Sequence, residues 1–177
     1  MAGCEDYCDD CLENPKTRRY QSAGTGDGKR IQRSYPETMN NKTRFTDWEY
    51  PQIEDGKPTK YNWVVQHKDK FKLGFKTDIG AFTYINAKNG VVIEDFVQIG
   101  SHCAIYSVST IDGKEGEVVL KKNCRVGSHS VIMPGITVGE NTVVGAMSFV
   151  NCDIPDNCVA AGVPAKIIKS TDGAEQI

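Results

Sequence analysis

Residues 120–150 read LKKNCRVGSHSVIMPGITVGENTVVGAMSFV, and a large aliphatic side chain returns at every sixth position of this stretch. Two shorter runs upstream have the same spacing. The repeating positions are Leu73, Ile79 and Ile85; Ile93, Ile99, Ile105 and Ile111; and Leu120, Val126, Ile132, Val138, Val144 and Val150. A period of six fits neither an amphipathic helix nor separate hairpins. It predicts a solenoid of short sides, each burying one aliphatic residue.

Three such sides make one coil, so the repeat predicts about four or more coils. The spacing lengthens twice, between Ile85 and Ile93 and between Ile111 and Leu120. These steps predict two extra residues near Lys88–Gly90 and three around residues 112–117. Polar insertions at solenoid corners project outward, and projecting loops commonly carry function.

The composition excludes several classes of protein. A net charge of -2 and a pI near 5.9 give no sign of nucleic-acid binding. No apolar run approaches the ~20 residues of a membrane span, and the start, MAGCEDYCDD, lacks the features of a signal peptide. We therefore expect a cytoplasmic protein with neither a membrane nor a nucleic acid as partner.

The pattern divides the chain into three parts. Residues 1–60 are polar and without periodicity, which predicts an irregular and poorly ordered N-terminal extension. Residues 61–169 are expected to form the solenoid domain, and residues 170–177 a short C-terminal tail.

The seven cysteines do not form an evident disulfide framework, because their number is odd and no signal peptide is visible. Cys103 and Cys124 lie four residues after a repeating aliphatic, where a small buried side chain is expected. Cys4, Cys8 and Cys11 have a spacing that also occurs at iron–sulfur sites. Their acidic neighbours and the lack of a following barrel favour a flexible tail with adventitious thiols over a cluster.

Three segments in order, IGSHCAIYS (99–107), VGSHSVIMPGITVGENTVVGAMSFV (126–150) and VAAGVPAKII (159–168), resemble the hexapeptide-repeat acyltransferases. The chain looks closest to members that N-acetylate amino-sugar nucleotides. The resemblance implies an all-β, left-handed parallel β-helix that forms homotrimers. It also implies acetyl-CoA as acyl donor, bound in the cleft between neighbouring solenoids, and no metal.

The resemblance also implies which residues bind the cofactor. Small corner residues that let the cofactor approach are Gly127, Ser128, Gly145 and Ala146. Gly162 and Pro164 belong to the GVPAK ending near the nucleotide part of coenzyme A, where Lys166 and Lys169 are candidates for its phosphates. Arg125 stands where related sugar acetyltransferases often have a tryptophan, which puts that contact in doubt.

Many sugar O-acetyltransferases of this family use a histidine on the projecting loop to deprotonate a hydroxyl. The matching residues 107–116 contain no histidine here. An amine acceptor needs less help, so we expect the amino group of a nucleotide-linked amino sugar (UDP- or dTDP-linked) as acceptor, in polysaccharide, lipopolysaccharide O-antigen or glycan assembly. Candidate catalytic residues are Asn86, His102, Ser107, Ser109 and Asp112, and backbone amides near Ser107–Ser109 are predicted to stabilise the oxyanion.

Two alternatives remain. A sugar O-acetyltransferase would use His102, or a neighbouring subunit's His129, as base. A γ-carbonic-anhydrase-like or purely structural solenoid is the other, although the register places His102 and His129 on different faces and no close histidine pair is present.

Trp63 and Tyr84 are candidates for stacking on a nucleotide, and both fit equally well as packing aromatics.

Overall fold

A computed structural model describes residues 47–170, and within this range fifteen short strands wind around three flat faces. The strands of each face pair in parallel with those of the next turn, so the domain is a parallel β-solenoid of about five turns. The predicted all-β solenoid is confirmed. Among the described residues, no helix is long and apolar enough to cross a membrane.

Each face is a stack of strands from successive turns, which we call faces A, B and C. Face A contains β1 (Val64–Gln66), β4 (Tyr84–Asn86), β7 (Ala104–Tyr106), β10 (Val131–Ile132) and β13 (Phe149–Val150). Face B contains β2 (Phe71–Leu73), β5 (Val91–Ile93), β8 (Val118–Leu120) and β11 (Thr137–Val138). Face C contains β3 (Asp78–Ile79), β6 (Gln98–Ile99), β9 (Arg125–Val126), β12 (Val143–Val144), β14 (Cys158–Gly162) and β15 (Ala165–Ser170). A 3-10 helix at Lys68–Lys70 joins β1 to β2.

The repeating aliphatics fill the interior in vertical columns. On face A the strand register places Ile85 beneath Ile105 and Ile105 beneath Ile132, and all three are fully buried. Cys103 and Cys124 are also buried, as predicted. The core is therefore a stack of identical layers, and each turn covers the apolar surface of the one below.

The interior register corrects the sequence analysis at one position. The six-residue period predicts that Ile111 points inward, yet it is 98% exposed. Ile93 pairs with Leu120, and Ile105 with Ile132, so one turn here takes 27 residues instead of the regular 18. The insertion is thus nine residues long, not three, and it begins before Ile111. The apparent six-residue step to Ile111 is a coincidence inside the loop.

The last strand closes the end of face C. β15 runs antiparallel to β14, and Gly162 ends β14 with a φ of +112°. The GVPAK segment therefore forms the tight connection and the start of β15. Lys166 and Lys169 are exposed on this outermost strand, where charged side chains discourage edge-to-edge pairing with other sheets.

Candidate active site

The projecting loop, residues 108–115, leaves the corner between faces A and B. An isolated antiparallel bridge joins Val108 to Glu115 at its base. The Ser109 N–H donates to the Lys114 carbonyl oxygen (2.7 Å), and the Gly116 N–H donates to that of Ser107 (3.0 Å). The loop is therefore a small closed turn whose tip presents Ile111 to the outside.

Ser107 anchors this loop and is fully buried. Its backbone N–H and its hydroxyl both donate to the Asn86 carbonyl oxygen, at 2.9 and 2.8 Å. Its hydroxyl oxygen accepts the Asn89 N–H (2.9 Å). Because the amides of Ser107 and Ser109 are both occupied within the chain, the structure does not support their predicted role as oxyanion donors.

Asp112 lies near the loop tip, and its hydrogen-bond partners favour the ionised carboxylate. The Ser109 hydroxyl donates to its carboxylate, which lowers the pKa of Asp112, and the Lys114 N–H and ammonium lower it further. The Lys114 Nζ lies 3.4 Å from Asp112 Oδ2. Hydrogen bonds to the charged form favour ionisation, so this exposed carboxylate is an anion at neutral pH.

Asn86 ends β4 on the outward side of face A, beside two tyrosines. The Tyr84 and Tyr106 rings lie 5.9 Å apart between centroids, and the Tyr84 hydroxyl donates to Gln66 Oε1 at 2.5 Å. The Asn86 Oδ1 accepts the Lys88 N–H at 3.1 Å. Partial burial is the main reason that the pKa of Tyr84 is raised, so its phenol stays protonated. Trp63, the other predicted stacking aromatic, is buried and belongs to the core.

The corner between faces C and A carries a column of large side chains, which we call the corner ridge: Phe82, His102, His129 and Met147. Each of the four residues lies two positions before a strand of face A. Because those strands pair from one turn to the next, the four residues stack in a column. The His102 and His129 rings stack at 4.8 Å between centroids and 3° between planes, and the Phe82 ring lies 5.0 Å from that of His102.

The stacked pair corrects a second prediction. His102 and His129 are 27 residues apart, which is one full turn once the nine-residue insertion is counted, so they share a corner instead of lying on different faces. His102 is exposed at a corner, as expected. Phe82 and Met147 also belong to this ridge, although neither is a candidate site residue from the sequence alone. The available signal was that all four residues lie three positions after an inward aliphatic.

The ridge residues adopt an unusual backbone conformation. Phe82, His102, His129 and Met147 have φ values of 63°, 58°, 62° and 61°. This left-handed region costs a residue with a Cβ roughly 1–2 kcal/mol, and glycine or asparagine tolerate it best. The ridge therefore keeps bulky side chains at positions where they are not conformationally favoured.

A strip of small residues runs beside the ridge and contains four of the nine predicted cofactor residues, Gly127, Ser128, Gly145 and Ala146. Ser128 and Gly145 are half-buried and Ala146 is exposed. A Cβ added to Gly127 would lie 2.6 Å from the Ala146 Cα, so the turns pack backbone to backbone here. Because its side chains are short, an extended ligand could lie close to the backbone along this strip.

Cationic side chains border this strip on face C. Arg125 lies in the same outward row as Val143 and Val159, and Val159 pairs with Lys169. Arg125, Lys166 and Lys169 are all exposed. Three strand spacings separate Arg125 from Lys169, which is roughly 14 Å. The strip and these cations fit an elongated ligand that carries several phosphates.

Residues 47–170 contain no group of three or more His, Cys, Asp or Glu side chains that could hold a metal ion. The parallel rings of His102 and His129 do not point at a shared centre, because an imidazole binds a metal in its own ring plane. Cys4, Cys8 and Cys11 lie outside the described residues.

Buried thiols give a first test of this architecture. Burial raises the pKa of Cys124 to about 12 and also raises that of Cys103. At pH 8 both groups are therefore thiols, and they are shielded from reagents. We expect that N-ethylmaleimide at pH 8 leaves both unmodified in the native protein and labels both in urea, as read by peptide mass spectrometry. Rapid native labelling of Cys124 would contradict the burial of this column.

The repeat matches a known family model over part of the chain. Residues 117–152 match the model described as bacterial transferase hexapeptide (six repeats). The galactoside O-acetyltransferase of Escherichia coli (strain K12) is 35% identical over 121 residues, which cover 60% of this chain and 60% of that protein.

Solved structures are similar over the same part. A hexapeptide-repeat acetyltransferase from Vibrio cholerae, in complex with acetyl coenzyme A, has a TM-score of 0.59 and 26% identity over 62% of this chain and 64% of its own. A maltose O-acetyltransferase from Clostridium difficile 630 has a TM-score of 0.58 and 28% identity over 62% and 63%. The chain spans less than two thirds of each of these relatives. Over about 60% of its length the chain is therefore similar to hexapeptide-repeat acetyltransferases, and the repeat itself matches the hexapeptide transferase model over residues 117–152.

Proposed function

We propose that this protein is an acetyltransferase that uses acetyl-CoA as acyl donor. The observation that carries the proposal is the strip of small residues beside exposed cations, on a solenoid similar to one solved with acetyl coenzyme A. Gly127, Ser128, Gly145 and Ala146 would receive the pantetheine arm, and Gly162, Pro164, Lys166 and Lys169 the nucleotide end, with Arg125 at the edge of the strip. When bound, acetyl-CoA supplies a thioester whose carbonyl carbon is open to nucleophilic attack.

The acceptor in this proposal is the amino group of a nucleotide-linked amino sugar, bound by a homotrimer. Its support is the projecting loop, where the tip carries Ile111 and residues 107–116 include no histidine. A sugar amine retains a neutral, nucleophilic fraction near pH 7, so a strong base is not required. The Asp112 carboxylate would bind and orient the amine, and the side chains of Asn86 and Ser109 lie at the same corner of the solenoid.

A sugar O-acetyltransferase is the second candidate. Two of the relatives act, by their names, on galactosides and maltose through oxygen. The exposed imidazole of His102, stacked on His129, is a group that could take a proton from a hydroxyl. In this version the base would come from the corner ridge instead of the projecting loop.

Free-thiol release from acetyl-CoA tests the proposal and separates its two versions. The acceptors are UDP- and dTDP-linked amino sugars, the same nucleotide sugars with a hydroxyl in place of the amine, and galactosides. We expect turnover with the amino sugars alone. Turnover confined to hydroxyl acceptors would overturn the amine assignment, and no thiol release with any acceptor would contradict the acetyltransferase.

His102→Ala tests whether the imidazole acts as a general base. With an amino-sugar acceptor we expect kcat to fall by less than about tenfold, because no general base is needed. A general base contributes roughly 10²- to 10⁴-fold, so a loss of that size with an amine would show that the base-free mechanism is wrong. Asp112→Asn is expected to raise KM for the amine about fivefold, whereas Asp69→Asn, which removes an exposed carboxylate from the first turn, leaves it unchanged.

A further inference from the structure

Four aromatic side chains form a cluster at the corner between faces B and C, which we call the aromatic patch: Trp48, Tyr50, Phe75 and Phe96. The Trp48 ring meets those of Tyr50 and Phe75 edge to face, at 5.5 and 5.2 Å between centroids, and the Phe75 and Phe96 rings lie 6.3 Å apart. Tyr50 is 58% and Phe75 50% exposed. These short distances leave no space for a ligand between the rings, so the patch is a continuous apolar surface and not a cage.

The polar ends of the patch are bonded within the chain. The Trp48 Nε1–H donates to the Thr77 carbonyl oxygen at 2.8 Å, and the Tyr50 hydroxyl donates to that of Leu73. Partial burial, and then the nearby charge of Asp95, raise the pKa of Tyr50, so the phenol keeps the proton that this bond needs. The rings are therefore fixed in place, and the surface that they present to a ligand is apolar.

Phe96 keeps an aromatic ring at a position that suits asparagine. The left-handed column of this corner consists of Lys76, Phe96, Asn123, Asn141 and Asn157, with φ values of 52°, 62°, 57°, 56° and 56°. Asn123 Nδ2 donates to Asn141 Oδ1 at 2.8 Å, and Asn141 Nδ2 donates to Asn157 Oδ1 at 3.1 Å. This ladder stops above Phe96, where Asn123 Oδ1 is buried and has no hydrogen-bond partner within the described residues. An unpaired buried acceptor and a strained aromatic residue both lower stability, which indicates a role for the Phe96 ring outside folding.

A groove of about 320 Å³ adjoins the patch, since its lining includes Leu73 and Asp95, which are both bonded to patch residues. The charged side chains that line it are Lys72, Lys122, Glu94 and Asp95, so two positive and two negative charges balance. Asp95 Oδ1 accepts the Phe75 N–H at 2.7 Å, and Glu94 Oε2 accepts the Lys122 N–H at 2.8 Å. These backbone bonds orient both carboxylates, and a carboxylate has further lone pairs that can accept a ligand hydroxyl.

We propose that the aromatic patch and this groove bind a neutral saccharide, at a corner of the solenoid different from that of the projecting loop. A pyranose ring has C–H bonds on its flat side, which pack on the rings of Tyr50 and Phe75, and hydroxyls at its edge, which both donate and accept. The carboxylates accept hydrogen bonds from these hydroxyls, and the ammonium groups donate to them. A charged ligand would meet a like charge in the balanced groove, and the Lys76 Nζ, 5.4 Å from the Phe75 ring centroid, further disfavours a cation.

Isothermal titration calorimetry of the full chain, without acetyl-CoA, tests this site. The probes are cellotetraose, maltotetraose and β-1,4-galactotetraose, which are all neutral. We expect at least one of them to bind wild type with a Kd of about 1 mM or lower. Phe75→Ser should raise this Kd at least about tenfold, because it removes the ring that joins Trp48 to Phe96. Tetramers of glucosamine and of galacturonate, which carry charges, should bind more weakly than the neutral probe.

Phe96→Asn separates binding from folding. Asparagine tolerates the φ of 62°, and its amide can donate to Asn123 Oδ1, which would extend the ladder by one turn. We therefore expect the urea midpoint to rise while the Kd for the tetrasaccharide increases at least about tenfold. Phe82→Asn is the matched control, because it replaces a 64% exposed ring with a φ of 63° at the corner between faces C and A. It should bind the tetrasaccharide as wild type does.

Several results would overturn the saccharide site. They are the absence of binding by all three neutral probes, binding that Phe75→Ser and Phe96→Asn leave unchanged, and tighter binding of either charged tetramer. A smaller mass of Phe75→Ser than of wild type in sedimentation velocity would also overturn it, by assigning the patch to a contact between copies. Thiol release from acetyl-CoA is measured separately, so failure of the proposed acetyltransferase and failure of this site are distinguishable.

Discussion

Gly127→Ala is expected to destabilise the solenoid by about 3 kcal/mol or to prevent folding. The added Cβ would lie 2.6 Å from the Ala146 Cα and 2.8 Å from the Gly145 carbonyl carbon, and both are backbone atoms of the next turn. Backbone cannot rotate aside as a side chain does. The two turns would have to separate, which would break the hydrogen bond from the Gly127 N–H to the Val144 carbonyl oxygen (2.8 Å).

Urea denaturation followed by circular dichroism measures this effect. Gly56→Asn is the matched control, because a Cβ at Gly56 meets nothing within 4 Å and asparagine accepts its φ of 68°. We expect the control midpoint to stay close to that of wild type. A Gly127→Ala protein with an unchanged midpoint would show that the turns are not packed backbone to backbone at this corner.

Ile105→Ala is expected to cost about 3 kcal/mol of unfolding free energy. The side chain is fully buried between Ile85 and Ile132 in the face A column. Truncation removes three carbon atoms and leaves a cavity in an interior layer that neighbouring turns hold rigidly in place. Because the cavity can collapse only slightly, the loss of unfolding free energy should lie toward the upper end of the range observed for large-to-small substitutions in protein cores.

Ile111→Ala provides a stringent comparison, because the six-residue period alone would assign both isoleucines to the interior. Ile111 is 98% exposed, so its truncation should change the unfolding free energy by less than about 0.5 kcal/mol. The measurement is made at a dilution at which copies do not associate. Equal destabilisation by the two substitutions would mean that the nine-residue insertion is assigned wrongly.

The solenoid itself was predictable because its signal is local and repeated. Every turn has the same requirement, an aliphatic inside and a small residue at the corner, so each repeat provides an independent observation of one period. Gly127 illustrates this: it directly follows the inward Val126, and the structure shows a close approach to the next turn that leaves no room for a Cβ.

The loop was predicted less well. Its polar composition indicated an insertion, but its length was misjudged because Ile111 happens to fall on the period. Only strand pairing reveals that Ile105 lies under Ile132. Once that register is known, His102 and His129 become neighbours, whereas counting along the chain placed them on different faces.

The candidate site shows the same division. Sequence position placed the small residues of the strip at corners and Asp112 on the projecting loop, where the structure also has them; their roles stay predictions. It did not reveal that Ser107 is a buried anchor whose amide and hydroxyl are both used by the Asn86 carbonyl. A serine on a projecting segment looks catalytic until its hydrogen-bond partners are known.

The sequence by itself determined the repeat and the inward residues of the regular turns, because these follow from spacing along one chain. The tertiary structure decided which side chains share a corner. That depends on how many residues each turn contains, and a single insertion shifts every later pairing. The stacked histidines, the ridge beside them and the outward-facing Ile111 all follow from those nine extra residues.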